Sequence, residues 1–260
     1  MTCNVRRPVP WSFRSVDDWT LRREALAALL RSEQPSLLAT QEVVTDADAV
    51  IRDALGPAYT RLGRGRDAAG AGEMCALYVN TARFSVRRWE QVALSPAPER
   101  PGSRGWGALL PRSAVIAELH DDATSRDLLV VNAHFDHLSA WSRRRSGALL
   151  ASRIAGRGLP AVVMGDLNAG AGSPPVRELA GGGQRDAWEL ARALGSPAFG
   201  TLSRYRSPRI GSRRVDHILV SRGVDVERIA VNARRYDGRW ASDHLPVQAM
   251  LALREGRSAE

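Results

Sequence analysis

The chain has 260 residues, 44% of them hydrophobic, with a formal net charge of +9; this is enough apolar material for one substantial core, and no stretch reads as an interdomain linker. No run approaches the roughly 18 consecutive apolar residues of a membrane-spanning helix, and the N-terminus lacks a signal-peptide layout, so the sequence argues against a membrane association. All 37 basic residues are arginine, so the charge reflects a compositional bias as well as any attraction to polyanions.

Met1 to Arg6 reads as a first strand. Asp17 to Leu30 sets Trp19, Leu21, Leu26, Leu29 and Leu30 at largely helical spacing behind the caps Ser15 and Asp17, which predicts an amphipathic helix before a strand at Leu37-Leu38. A shorter helix is expected over 46–55. Strands follow at 58–64, 73–79, 84–94, 113–120 and 127–133, separated by Gly-, Pro- and Asp-containing turns. Ser139 to Ala155 reads as a helix whose Arg143-Arg144-Arg145 run forms a solvated face, 159–164 as a buried strand, and 174–194 as one or two short helices broken by Gly181-Gly182-Gly183. Strands at 214–220, 224–232 and 246–253 close the chain. Ser203 to Arg214, rich in Arg, Ser, Pro and Gly, is a loop that either grips an anionic substrate or is simply mobile. Helices interposed among so many strands predict an α/β fold of two packed mixed sheets with helices outside. One domain over 1–254 is expected, with a short tail at 255–260. Cys3 and Cys75 sit in apolar strand contexts without metal spacing, so both are expected to be buried, reduced thiols, consistent with a cytoplasmic address.

The polar residues that carry chemistry cluster at strand ends: Gln41-Glu42, Asn132-Ala133-His134-Phe135-Asp136-His137, Gly165-Asp166-Leu167-Asn168, Asp216 and Ala241-Ser242-Asp243-His244. Hydrolysis of a phosphate ester needs a divalent cation, an aimed water, a base for it and stabilisation of the leaving oxygen. Glu42, Asp243 and Asn4 are oxygen donors suited to Mg²⁺ or Mn²⁺, whereas no compact histidine array suits zinc. Asp166 and Asn168, two residues apart after a strand, can project the same way toward a water and a phosphate. Asp216 and His244 suit a carboxylate–imidazole pair, and either Asp166 or His244 can serve as base. His217 should point to the opposite sheet face and His120 sits before a turn, both structural or solvated; the seven tryptophans are expected mostly in the core, although Trp106 and Trp240 lie in loops where they could wall a pocket.

Taken together these blocks resemble the endonuclease/exonuclease/phosphatase superfamily over about residues 1–254, within a largely uncharacterised bacterial branch. The resemblance implies a four-layer α/β sandwich of two packed mixed β-sheets flanked by helices, and a Mg²⁺- or Mn²⁺-dependent hydrolase. It assigns the active-site Asn to Asn4, metal binding to Glu42 and Asp243, and water- and phosphate-directed roles to Asp166 and Asn168. Asp216 would support His244. His134 is similar to the imidazole of the DNase and deadenylase branches, with Glu73 as its acid partner; Arg112 resembles an arginine near the substrate phosphate. Asp136 and His137 would touch substrate or hold their loop. The leading expectation is hydrolysis of a phosphodiester, with nucleic acid or a nucleotide as partner. The alternatives are a phosphomonoesterase on a sugar or inositol phosphate and, more remotely, an inactive anion-binding domain. No obligate protein partner is evident.

Overall fold

The computed structural model describes residues 1–9 and 15–254; the expected tail at 255–260 lies outside them. In chain order the first half comprises β1 (Thr2–Asn4), a 3-10 turn (Ser15–Asp17), α1 (Trp19–Glu33), β2 (Leu37–Val43), α2 (Thr45–Leu55), β3 (Tyr59–Leu62), β4 (Met74–Asn80), β5 (Phe84–Ala93), β6 (Ser113–Asp121) and β7 (Arg126–His134). The second half comprises α3 (Ala140–Ala155), β8 (Ala161–Asp166), α4 (Pro174–Gly181), β9 (Arg185–Asp186), α5 (Ala187–Leu190), β10 (Ala193–Leu194), β11 (Asp216–Val220), β12 (Val224–Val231) and β13 (Val247–Leu253).

One sheet runs β10-β12-β13-β1-β2-β4-β3 and the other β5-β6-β7-β8-β11-β9. Both are mixed: β1 pairs parallel with β2, and β7 parallel with β8, among mostly antiparallel neighbours. The alternation of side chains along β4 shows how the layers form. Ala76 and Tyr78 turn toward α1 and α2, joining Leu26, Leu30 and Ile51, while Leu77 and Val79 turn inward and meet Val115, Val130 and Met164 of the second sheet. On the far side, Val131 and Val163 pack on Leu150 and Ile154 of α3 and Leu179 of α4. The result is the expected four-layer α/β sandwich. Strands covered on both faces read as continuous apolar runs, which is why β4 and β8 lack a polar alternation.

The structure refines three local expectations. The cap of α1 is Asp18, whose carboxylate accepts from Thr20 N at 2.9 Å, in place of Ser15 or Asp17. Over 174–194 the two short helices form as α4 and α5, and Arg185–Asp186 and Ala193–Leu194 are in addition recruited as edge strands beside β11 and β12. Trp240 is buried in the layer between the sheets. Cys3 and Cys75 are buried free thiols, as expected. Among the described residues no helix is long and apolar enough to cross a membrane.

Candidate active site

The site forms where both sheets end. In the second sheet His134 of β7 pairs in register with Asp166 of β8, which pairs in turn with Asp216 of β11. Three functional side chains therefore stand abreast on adjacent strands. The parallel approach of β7 and β8 demands glycine at 165: its φ is +149°, and a Cβ would fall 2.0 Å from the Ala133 carbonyl oxygen. Asn168 then turns through a left-handed φ of 49°. Its backbone N–H donates to Asp166 Oδ1 at 2.8 Å, and its amide Nδ2 donates to the Phe135 carbonyl at 3.0 Å.

The first sheet contributes Asn4, from β1, beside Gln41 of β2. The β2–β4 register shifts between Thr40 and Val43, and Glu42 within this bulge has φ 61°. The bulge re-aims the chain. Gln41 reaches between the sheets, donating to Asn132 Oδ1 at 2.8 Å, while Glu42 faces the cleft. Asn4 Nδ2 donates to Glu42 Oε1 at 2.9 Å and to Asp166 Oδ2 at 3.1 Å, and its Oδ1 accepts from Arg6 N at 2.9 Å. Two carboxylate partners require the NH₂ group on that side, so the amide is oriented to hold Glu42 and Asp166. The amide thus positions two carboxylates, one of them the expected metal ligand Glu42. Arg22, 1% exposed, clamps the neighbouring backbone: its guanidinium donates to the carbonyls of Val5, Arg6, Asp17 and Ala241 at 3.1–3.3 Å.

The chain segment after β7 is organised by buried Arg112. It lies 3.2 Å from His134 Nδ1, 2.7 Å from His137 Nδ1 and 3.5 Å from Asp136 Oδ2. Asp136 Oδ1 also accepts from Leu138 N and Ser139 N at 2.9 and 2.6 Å, so this residue supports the loop and Arg112. The expected Glu73–His134 pair is not formed. Glu73 is taken by Arg7 at 3.2 Å and Arg66 at 2.9 Å, two cations whose approach the local sequence around Glu73 does not disclose. His134 instead lies between Arg112 and Asp166 Oδ2, the latter 3.6 Å from Nε2.

The two imidazoles are driven to opposite states. Burial, reinforced by Arg112 and Arg66, holds His134 well below the usual histidine range, so it is neutral; the Arg112 guanidinium lies 3.2 Å from its Nδ1 and 3.3 Å from its Nε2. Burial would also depress His244, but Asp216, 2.8 Å from its Nδ1, together with Asp166 and Asp243, outweighs it and holds the ring well above that range. Asp166 is pushed up to about 7, first by burial and then by Asp216. Asp243 is raised by burial, with Glu42 adding to the effect. Glu42, despite burial, is lowered by its bonds from Asn4 and Arg7 N.

Buried carboxylates gathered this closely call for a cation. Asp166, Asp216 and His244 bring one ligand-capable atom each within 4.8 Å of one another. That trio already contains the His244–Asp216 hydrogen bond and a protonated ring, which opposes a second cation. Glu42 and Asp243 line the open cleft and are hard oxygen donors, so they fit a divalent ion better.

The cleft encloses about 790 Å³ and is lined by Glu42, Glu73, Arg112, His134, Asp166, Asn168, Asp243 and His244, with Asp216 and Asp136 behind. Among the described residues nine arginines face it. Arg143 is one, donating to the Asp136 carbonyl at 2.9 Å, while Arg145 stacks near Trp106 and Arg144 pairs with Glu178. The expected solvated run is thus divided among three tasks, because three successive helical positions point in three directions. The sequence reading also missed Arg7 and Arg66, whose only signal was abundance, whereas Arg213 belongs to the Ser203–Arg214 loop offered there as an anion grip. His217 and His120 are structural as expected, bonded to Asp186 and Ala169 O, and to Asp127.

The family model described as endonuclease/exonuclease/phosphatase family matches residues 1–244. The chain belongs to that family. Members of known structure superpose over nearly the whole sandwich. A mannosyl-6-phosphatase of Bacteroides thetaiotaomicron VPI-5482 is 27% identical, covers 97% of this chain and 98% of its own, and gives a TM-score of 0.89. An endonuclease/exonuclease/phosphatase protein of Bacteroides vulgatus is 28% identical over 97% of both chains, also with a TM-score of 0.89. D. rerio TDP2, solved with a single-strand DNA product, shares the fold at 15% identity and TM-score 0.69, over 95% of this chain and 96% of its own. Comparison with curated protein sequences gives no match.

Proposed function

We propose that this family member is a divalent-metal-dependent phosphomonoesterase acting on a small phosphorylated sugar or polyol. The observation that carries the reading is the bounded cleft. Its volume of about 790 Å³ lies within the roughly 300–1,000 Å³ usual for small-molecule sites. Leu110 and Leu202 give its mouth apolar surface suited to the carbon face of a sugar. The full-length likeness to a mannosyl-6-phosphatase supports the same substrate class. The phosphodiester of a nucleic acid, the first expectation from sequence, is the rival.

In this reading Asp166, poised near neutrality, takes the proton of a water attacking phosphorus in line with the leaving oxygen. Asn4 and His134 orient that carboxylate. His244, kept charged by Asp216, faces the phosphoryl oxygens with Nε2–H and stabilises the negative charge that develops there. Asn168 and Arg112 hold the remaining oxygens. A Mg²⁺ or Mn²⁺ ion held by Glu42 and Asp243 would supply Lewis-acid neutralisation of the phosphoryl group and its leaving oxygen.

The test is phosphate release from mannose 6-phosphate and p-nitrophenyl phosphate with Mg²⁺ or Mn²⁺, beside nicking of supercoiled plasmid, each with a chelator blank and an Asp166→Asn control. Phosphate release without nicking is expected. Nicking with no release from either monoester would overturn the reading in favour of a nuclease.

A further inference from the structure

The arginines around the cleft exceed what one phosphoester requires. Nine guanidinium groups face it against the carboxylates of Glu42, Glu73, Asp166 and Asp243, an excess of five positive charges before any divalent ion is added. Arg7 and Arg66 share Glu73, and Arg6 lies 3.2 Å from Asp17. Arg204, Arg206 and Arg209 are exposed, come from one loop, and pair with no carboxylate among the described residues.

That loop is built to hold them in place. Its neck is closed by buried Thr201, whose hydroxyl accepts from Val215 N at 2.9 Å and Asp216 N at 3.1 Å. The Asp243 carbonyl accepts from Ser203 N, Arg204 N and Ser203 Oγ at 2.9, 2.9 and 3.0 Å, which ties the loop to the segment carrying His244. Arg204 and Tyr205 both adopt left-handed backbone, φ 52° and 63°, a conformation non-glycine residues avoid unless their surroundings impose it. Here Tyr205 is pinned: its hydroxyl donates to Asp17 Oδ1, and the Arg22 guanidinium lies 6.0 Å from its ring centroid. Fixing Tyr205 fixes the directions of its neighbours Arg204 and Arg206, and both face the cleft.

We infer that this loop is a second anion subsite, and that the substrate carries a second phosphate group besides the one hydrolysed. The inference rests on the small-phosphoester reading above. A neutral sugar bearing one phosphate brings about two negative charges, which the metal, Arg112 and His244 already meet. A second phosphate would engage the fork-shaped donors of Arg204 and Arg206, with Arg209 beside them. Tyr205 is the positioning residue of the subsite.

Steady-state kinetics on mannose 6-phosphate and glucose 1,6-bisphosphate would be compared for the wild type, Arg204→Ser/Arg206→Ser and Tyr205→Phe. The wild type is expected to show a KM for the bisphosphate at least tenfold below that for the monophosphate. The double variant should lose that advantage while its kcat and KM on mannose 6-phosphate stay within about twofold. Tyr205→Phe should raise KM for the bisphosphate alone by roughly threefold, with kcat unchanged, a split that a general loss of folding would not produce. Calorimetric binding of the same two sugars to Asp166→Asn protein reads the subsite without turnover, so an absence of phosphatase activity would not be mistaken for an absent subsite. Equal affinity for both sugars in the wild type would overturn the inference. So would an equal loss on both substrates in the double variant, or Arg204- and Arg206-dependent binding of single-stranded oligonucleotide in place of the bisphosphate.

Discussion

The floor of the cleft and its rim are built on different principles. On the floor, Asn4, Asp166 and Asp216 are each about 1% exposed and cross-linked to one another or to His244. On the rim, Arg204, Arg206 and Arg209 are exposed and, among the described residues, pair with no carboxylate. Strand ends hold a few atoms to a fixed geometry at the cost of desolvating them, whereas a tethered loop presents charge that water still solvates. In the function proposed above, chemistry belongs to the first arrangement and selection among substrates to the second.

The sharpest way to break this contrast is at its centre. Asp166→Asn should lower kcat by about 10²–10⁴-fold, the usual contribution of a positioned base, in a protein whose circular dichroism is unchanged. A comparable kcat would remove Asp166 from the base role. Next in size is Arg22→Met, which leaves four carbonyls, three of them in buried contacts, short of a donor. It should cost about 3 kcal/mol or more in urea unfolding; a loss under about 1 kcal/mol would mean those carbonyls find other partners. Asn4→Ala should weaken Mg²⁺ activation by about 10–100-fold, as expected for a group that orients a ligand, measured by metal titration of activity.

A pH experiment separates floor from rim by sign. Asp166 is raised in the fold, from an ordinary 3.8 to about 7. Its favourable contribution is therefore complete below its unfolded value and lost as pH climbs through the folded one. With metal chelated, the melting temperature of Asp166→Asn should pull ahead of the wild type by several degrees between pH 4 and 7. A gap constant with pH would contradict the raised carboxyl. Smallest of all, Arg206→Ala should change unfolding free energy by no more than about 0.5 kcal/mol, as an exposed residue without a partner should; a larger loss would make the rim structural.

The same contrast explains what was legible in the sequence. Asp166-Leu167-Asn168 and Asp243-His244 were readable because each motif is contiguous and adjoins an apolar strand, the first at a strand's end and the second just before one, so the chemistry and its placement lie side by side. Most long strands were located to within a residue or two for the same reason, whereas the two-residue β9 and β10 carry no apolar run and were not anticipated. Glu42 was readable as a residue but not as a bulge: only the slipped β2–β4 register turns it away from Gln41. Glu73 was given the wrong partner because Arg7 and Arg66 arrive from segments that a local pattern cannot bring together. Arg22 was legible only as part of the first-helix pattern with Trp19 and Arg23, and nothing in its neighbours announces four backbone acceptors converging on it. In a chain with 37 arginines, abundance hides the few that matter.

The position of β1 between β13 and β2 bears on how the molecule is made. Within this domain β1 is an interior strand whose flank stays unpaired until β13 pairs with it, and Arg22 on the first helix waits likewise for the carbonyl of Ala241. Long-range closures of this kind come late and slowly. Asn4 and Glu42 therefore meet Asp243 and His244 only once segments more than 200 residues apart have closed on one another, so the cleft floor is assembled by the same closure that completes the first sheet.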